Sequence, residues 1–205
     1  MTKKGRGFSL LELMIVIAIS LTVASIGVLA IMPVLKQDHI DTAYETTLSL
    51  IRTYRTRAVA ESARYVLTFT APGTINVQTW GYVPPPGVSP APINVPGGTY
   101  SLPSDISFAV QAGFPNPGPD NFGTGATAIG FNTCGVIEAG QNCLVFYPDG
   151  SVQDDAGNFN NGIIYITRPT SNKYQSRAIT IFGTTGRARG WRIYNQSGAD
   201  TWVQQ

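Results

Sequence analysis

The hydrophobic pattern along the chain has two regimes. From Phe8 to Met32 run 25 residues with a single formal charge, Glu12, and no proline. A bilayer core takes about 20 apolar residues as helix, so this stretch is long enough to span one. Pro33 closes the run and predicts a kink or interruption of the helix. Beyond it, Tyr44, Leu48, Ile51, Ala58 and Ser62 recur at helical steps. Asp38, Asp41, Glu45, Arg52 and Arg55 fall elsewhere around the wheel, which predicts an amphipathic helix over 34–63.

After Arg64 the pattern turns to alternation and short apolar runs. Tyr65–Thr70 and Thr74–Trp80 read as a strand pair turning at Pro72-Gly73. Residues 81–125 hold most of the fourteen prolines, no Lys or Arg, and only Asp105 and Asp120 as charges. They read as long loops around one strand near Ile106–Val110, anchored by Trp80, Tyr82, Tyr100, Phe108 and Phe114. Later strands are expected at Ala126–Phe131, Leu144–Tyr147, Ile163–Thr167, Ala178–Phe182 and Arg187–Tyr194. Pro148-Asp149-Gly150 and Gly183-Thr184-Thr185-Gly186 read as turns between strands. Helix first and strands after, without alternation, predict an α+β fold with antiparallel sheet, and one stripe of the second half of the long amino-terminal helix must be covered.

Composition narrows the function. Only 13% of residues are charged, about half the usual share in soluble domains. A single histidine, His39, excludes a multi-histidine metal site. With no nucleophile–base constellation in sight, the chain does not read as an enzyme, and no cofactor or metal is expected. Gly123-Thr124-Gly125-Ala126-Thr127-Ala128 matches a dinucleotide-binding pattern by letter, but lacks the preceding strand and following helix that give the pattern meaning. Asp149, Asp154, Asp155 and Asn158 offer oxygen ligands at a spacing unlike a calcium-binding EF-hand, and a solvated turn explains them.

Lys3, Lys4 and Arg6 precede the apolar run, which favours a cytoplasmic start and an exported remainder. The run is too long for the core of an ordinary signal peptide, and it carries a carboxylate five residues in. That carboxylate is costly in lipid and asks for a partner or a role. Gly7-Phe8-Ser9-Leu10-Leu11-Glu12-Leu13-Met14-Ile15-Val16-Ile17 resembles the class III signal of type IV pilins and type II secretion pseudopilins. The resemblance implies cleavage after Gly7 by a prepilin peptidase and N-methylation of the new terminus, Phe8. It also implies that Glu12 serves assembly. The new Phe8 amine would be a cation in the same layer, so Glu12 of one subunit could pair with Phe8 of its neighbour.

The expected organisation is therefore a leader over 1–7, a membrane and assembly helix over 8–33, a helical stem over 34–63 and an exported β-rich domain over 64–205. Helix-then-strand order resembles the pseudopilin subfamily called GspH or FimT. So do Ile179-Thr180-Ile181-Phe182-Gly183-Thr184-Thr185-Gly186-Arg187-Ala188-Arg189 and the Phe146-Tyr147-Pro148-Asp149-Gly150 turn. Partners implied are other pilin subunits, prepilin peptidase and the inner membrane. Cys134 and Cys143 enclose eight residues and, in an exported oxidising compartment, read as a structural disulfide rather than a redox pair.

One charge feature stands out. Beyond residue 167 lie Arg168, Lys173, Arg177, Arg187, Arg189 and Arg192, opposed by Asp200 alone. On a strand, Arg187 and Arg189 share a face. Gly186-Arg187-Ala188-Arg189 resembles the G-R-x-R motif by which FimT-type minor pilins bind double-stranded DNA, with Lys173, Arg177 and Arg192 as further candidates. Trp191, Tyr194 and Trp202 could stack on bases. Equally, Gly186 could close a hairpin while the arginines meet acidic partners. Both readings stand at this point.

Overall fold

The computed structural model describes residues 9–80, 92–131, 142–154 and 156–205. They form an α+β fold of one long helix and two antiparallel sheets. The chain divides into two compact units between Asp38 and His39.

Helix α1 covers Leu10–Glu61. Its first turn opens at Ser9, whose carbonyl accepts from the amides of Glu12 and Leu13 at 3.0 and 3.2 Å. Glu12 sits in that turn, where the helix dipole favours a carboxylate. Pro33 does not end the helix, which runs through it with the loss of one backbone hydrogen bond. Ser62, with φ of 49°, ends it in a left-handed conformation.

In the first unit, the window Leu10–Gly27 has a mean hydropathy of 2.3 and is 0% buried. Leu10, Leu13, Ile17, Leu21 and Ile26 are all exposed. A core helix of a soluble domain would be covered, so this surface is fit for lipid or for other helices. Thr22 and Ser25 return their hydroxyls to the carbonyls of Ile19 and Leu21, both at 2.8 Å, which removes polar groups from that surface.

In the second unit, the rest of α1 buries Ile40, Ala43, Tyr44, Leu48, Ile51, Tyr54 and Ala58. Of the expected stripe, Tyr44, Leu48, Ile51 and Ala58 are buried while Ser62 is exposed past the helix end, and Ile40, Ala43 and Tyr54 widen it because both sheets contribute to the same core. One sheet has the order β3-β2-β1-β5, from β1 (Arg64–Thr70), β2 (Thr74–Trp80), β3 (Ile93–Ser101) and β5 (Asn142–Phe146). The other has the order β4-β6-β7-β8-β9, from β4 (Ser107–Phe108), β6 (Gly162–Thr167), β7 (Arg177–Phe182), β8 (Arg187–Gln196) and β9 (Ala199–Gln204). Tyr65, Leu67 and Phe69 of β1 join Ile164, Ile166, Ile179 and Ile181 of the second sheet in the main core with α1.

The second sheet is covered on both faces. Ile163, Tyr165 and Ala178 point away from the main core and pack under Phe114, Phe122, Trp191 and Trp202. That is why β6 is an unbroken apolar run, buried at all six positions. Phe114 and Phe122 of the proline-rich stretch cover this face; of the other aromatics expected to anchor it, Tyr100 and Phe108 pack on the main core and Tyr82 lies outside the described residues.

Three elements differ from expectation. β3 is an edge strand containing Pro96, Gly97 and Gly98, which hides it from any alternation pattern and suits an edge. β9 was not anticipated either; it pairs with β8 across a two-residue turn, Ser197-Gly198, with φ of 53° and 88°. Ala126–Phe131 is no strand. Ile129 alone bridges Ile164, while β4 occupies the same edge of β6 at Ile166 and Thr167, so two short pieces share that edge.

Candidate functional site

At the amino terminus, Gly7 and Phe8 lie outside the described residues. Glu12 lies within them, exposed in the first helical turn and without an ion-pair partner among the described residues. A carboxylate at the head of an uncovered apolar helix is costly in lipid unless it is paired with a cation or protonated. Cys143 is disulfide-bonded; Cys134, its expected partner, lies outside the described residues.

The carboxyl-terminal cations separate by environment. Arg177 is 1% exposed on the helix-facing side of β7, where its guanidinium bonds Asp41 of α1 and the carbonyls of Gln175 and Ser176. Burial pushes this guanidinium below its usual pKa, and the Asp41 charge opposes the shift. It is a tether between helix and sheet. Lys173 pairs with Asp200 across the β9 end, and Tyr174 donates to the same carboxylate at 2.9 Å. Arg168 pairs with Asp105, which also meets His39 at 3.1 Å. Arg192 faces Arg177 across the β7–β8 pair and lies 5.2 Å from the Tyr194 ring.

Arg187 and Arg189 do share a face, the one opposite Gly190. Gly190 is required there: an added Cβ would fall 1.6 Å from the Tyr44 hydroxyl of α1. Arg189 reaches Asp120 at 3.1 Å and stacks 4.7 Å from the Phe182 ring. Asp120 also accepts from the Thr180 hydroxyl at 2.7 Å, so it is itself held in place. Arg187 is exposed and forms no ion pair among the described residues.

The turn before them is built tightly. Gly186 takes a φ of 61°, and a Cβ there would meet the Gly150 carbonyl at 2.1 Å. Arg55 of α1 donates through Nε to the Thr185 carbonyl at 2.8 Å, fixing the turn against the helix. The result is a groove of about 540 Å³ lined by Arg52, Arg55, Arg187 and Arg189, with Thr56 and Thr185 among the remaining walls. Among the described residues, no acidic side chain lines it. Arg52 and Arg55, read from the sequence only as the polar side of a helix, were missed as parts of a site. Their three-residue spacing was the available signal.

Other candidates fall to local bonding. The Asp149 carboxylate accepts from the Ser151 amide and hydroxyl at 2.9 and 2.6 Å. Asp154 accepts from the amides of Ala156 and Asn158 at 3.0 and 2.9 Å. Both carboxylates therefore serve turns, and Asp155 lies outside the described residues. Trp191 donates to Thr180 at 2.9 Å, and Trp202 packs against Phe114 and Tyr165, so neither indole is presented for base stacking.

Set against known families, residues 2–32 match the model of the prokaryotic N-terminal methylation motif. The motif supports a type IV pilin-like chain. It indicates processing by prepilin peptidase and assembly with other pilins, roles that are structural rather than enzymatic. The uncovered helix of this pilin-like chain fits an inner-membrane anchor. No curated protein and no solved structure matches it.

Proposed function

We propose that the chain is a minor pilin or pseudopilin of the GspH/FimT kind, cut after Gly7, methylated at Phe8 and assembled into a type IV pilus or a type II secretion pseudopilus. One observation carries this reading: a wholly uncovered apolar helix with Glu12 in its first turn, lying inside the methylation motif. The helix would sit in the inner membrane until assembly, with the β-rich part exported. Glu12 would then pair with the Phe8 amine of a neighbour and set the axial register.

The test is the mass of the mature chain in cells with and without prepilin peptidase. The reading expects loss of residues 1–7 and gain of one methyl group only when the peptidase is present. Gly7→Val should block cleavage. Glu12→Ala should be cleaved normally and yet fail to enter the filament fraction; normal incorporation would remove the pairing argument.

A second reading is favoured by a separate observation, the arginine groove free of acidic side chains. In it the subunit also holds double-stranded DNA for uptake, using Arg187 and Arg189, as the G-R-x-R resemblance suggests. Arg177, Lys173 and Arg189 contribute less to this reading, since Arg177 is buried and all three are paired, Arg189 with Asp120. Its test is duplex binding across a salt series.

A further inference from the structure

We infer that Arg192, with Tyr194 and Thr201 beside it, is a receptor for one carboxylate, filled by Glu45 of a second copy of this chain. The inference rests on the pilin-like reading and adds to it a contact between the second units of neighbouring copies. Arg192 is partly buried; its Nε is sealed from water without an acceptor, and its guanidinium forms no ion pair among the described residues. Polar groups so placed are nearly always partnered. Arg177 lies directly opposite on β7, where like charges repel. Asp41 bonds Arg177, so two guanidiniums share one carboxylate and one positive charge is left over.

Its neighbours suit a protein carboxylate. Arg192 and Tyr194 alternate with Gly190 along β8 and so share the face on which α1 packs. Thr201, opposite Tyr194 on β9, adds to that face a second buried group without a partner, its hydroxyl. The Tyr194 ring is 41% exposed and lies 5.2 Å from the Arg192 guanidinium. Tyrosine and arginine are the side chains that most often anchor protein contacts. The chain itself supplies a fitting acid. Among the described residues of the second unit, every other Asp and Glu is in an ion pair or bonded within a turn. Glu45 has neither, and stands exposed on α1 one turn beyond Asp41. Glu45 on one copy and Arg192 on the next belong to different patches, so the contact propagates from copy to copy instead of closing on a dimer.

The experiment co-expresses full-length copies carrying two different affinity tags, solubilises the membranes in non-ionic detergent and recovers complexes through one tag. Wild-type copies should bring each other down. Glu45→Arg in both copies, or Arg192→Glu in both, should cut recovery at least about fivefold, because the pair is lost and like charges meet. Arg192→Glu faces Arg177 across the strands and should fold, as near-ultraviolet circular dichroism checks. A Glu45→Arg copy mixed with an Arg192→Glu copy regains one Glu45–Arg192 pair and should regain recovery as pairs. Failure of the mixture would show that the two residues do not meet between copies and overturn the inference. Unchanged recovery in either variant, or none by the wild type, would overturn it too. The mass of the same samples separates the contact from the reading beneath it. Copies cut and methylated without rescue in the mixture would overturn the contact alone; rescue in copies never cut after Gly7 would overturn the pilin-like reading alone.

Discussion

Asp105 illustrates how single residues tie the second unit together. It accepts from Arg168 at 2.8 Å and meets His39 of α1 at 3.1 Å. Burial acts to raise its carboxyl pKa, and the His39 and Arg168 hydrogen bonds outweigh burial, leaving it below its ordinary value. Asp149 is lowered too, by the Ser151 hydroxyl first and the Ser151 amide second. A carboxyl with a depressed folded pKa binds its proton more readily when unfolded. Its stabilisation is therefore complete above the ordinary carboxylate pKa and disappears as pH falls through the folded value. Resistance to urea should weaken below about pH 4, and Asp105→Asn should flatten that acid limb while lowering stability at neutral pH. An unchanged limb in the variant would assign the acid sensitivity elsewhere. Much at this scale was hidden in the sequence. Arg177 and Lys173 read as surface cations because Asp41 and Asp200 lie 136 and 27 residues away. Only the fold brings them together.

Among elements, the contact of α1 with β8 is the most demanding. Gly190 leaves room for the Tyr44 ring, with Cβ positions 1.6 and 2.6 Å from its hydroxyl and Cζ. Gly190→Ala should destabilise by about 1–3 kcal/mol, in the range of overpacked cores. Tyr44→Leu, which withdraws the ring, should recover part of that loss, so the two changes are non-additive in a double-mutant cycle. Strict additivity would show that helix and strand do not meet there. Elements with strong local signals were legible: β1 and β2 begin and end within a residue of expectation, and β5 to β8 follow their apolar runs. β3 and β9 were not. One is interrupted by Pro96 and two glycines, and the other draws its stability from pairing with β8 rather than from its own pattern. The groove was half legible, since the strand arginines stood out while Arg52 and Arg55 looked like solvent positions on a helix.

For the whole molecule, the division between Asp38 and His39 separates two kinds of surface. The main core begins at Ile40 and uses nothing before it among the described residues. A chain starting at Gln37 should therefore be water-soluble and unfold cooperatively, as followed by circular dichroism. Aggregation of that fragment, with loss of its near-ultraviolet signal, would mean that the first unit contributes to the core.

The bare helix of the first unit also constrains kinetics. Its apolar side chains are uncovered from Leu10 to Ile26, so each passage through water would expose them at about 25 cal/mol per Å². If the subunit assembles as proposed, a free subunit in water is no way-station between lipid and polymer. Withdrawal from the bilayer and docking on neighbouring helices would then proceed together, with one apolar surface exchanged directly for another. A subunit shed from a shrinking filament would by the same route return to the membrane, ready to be used again.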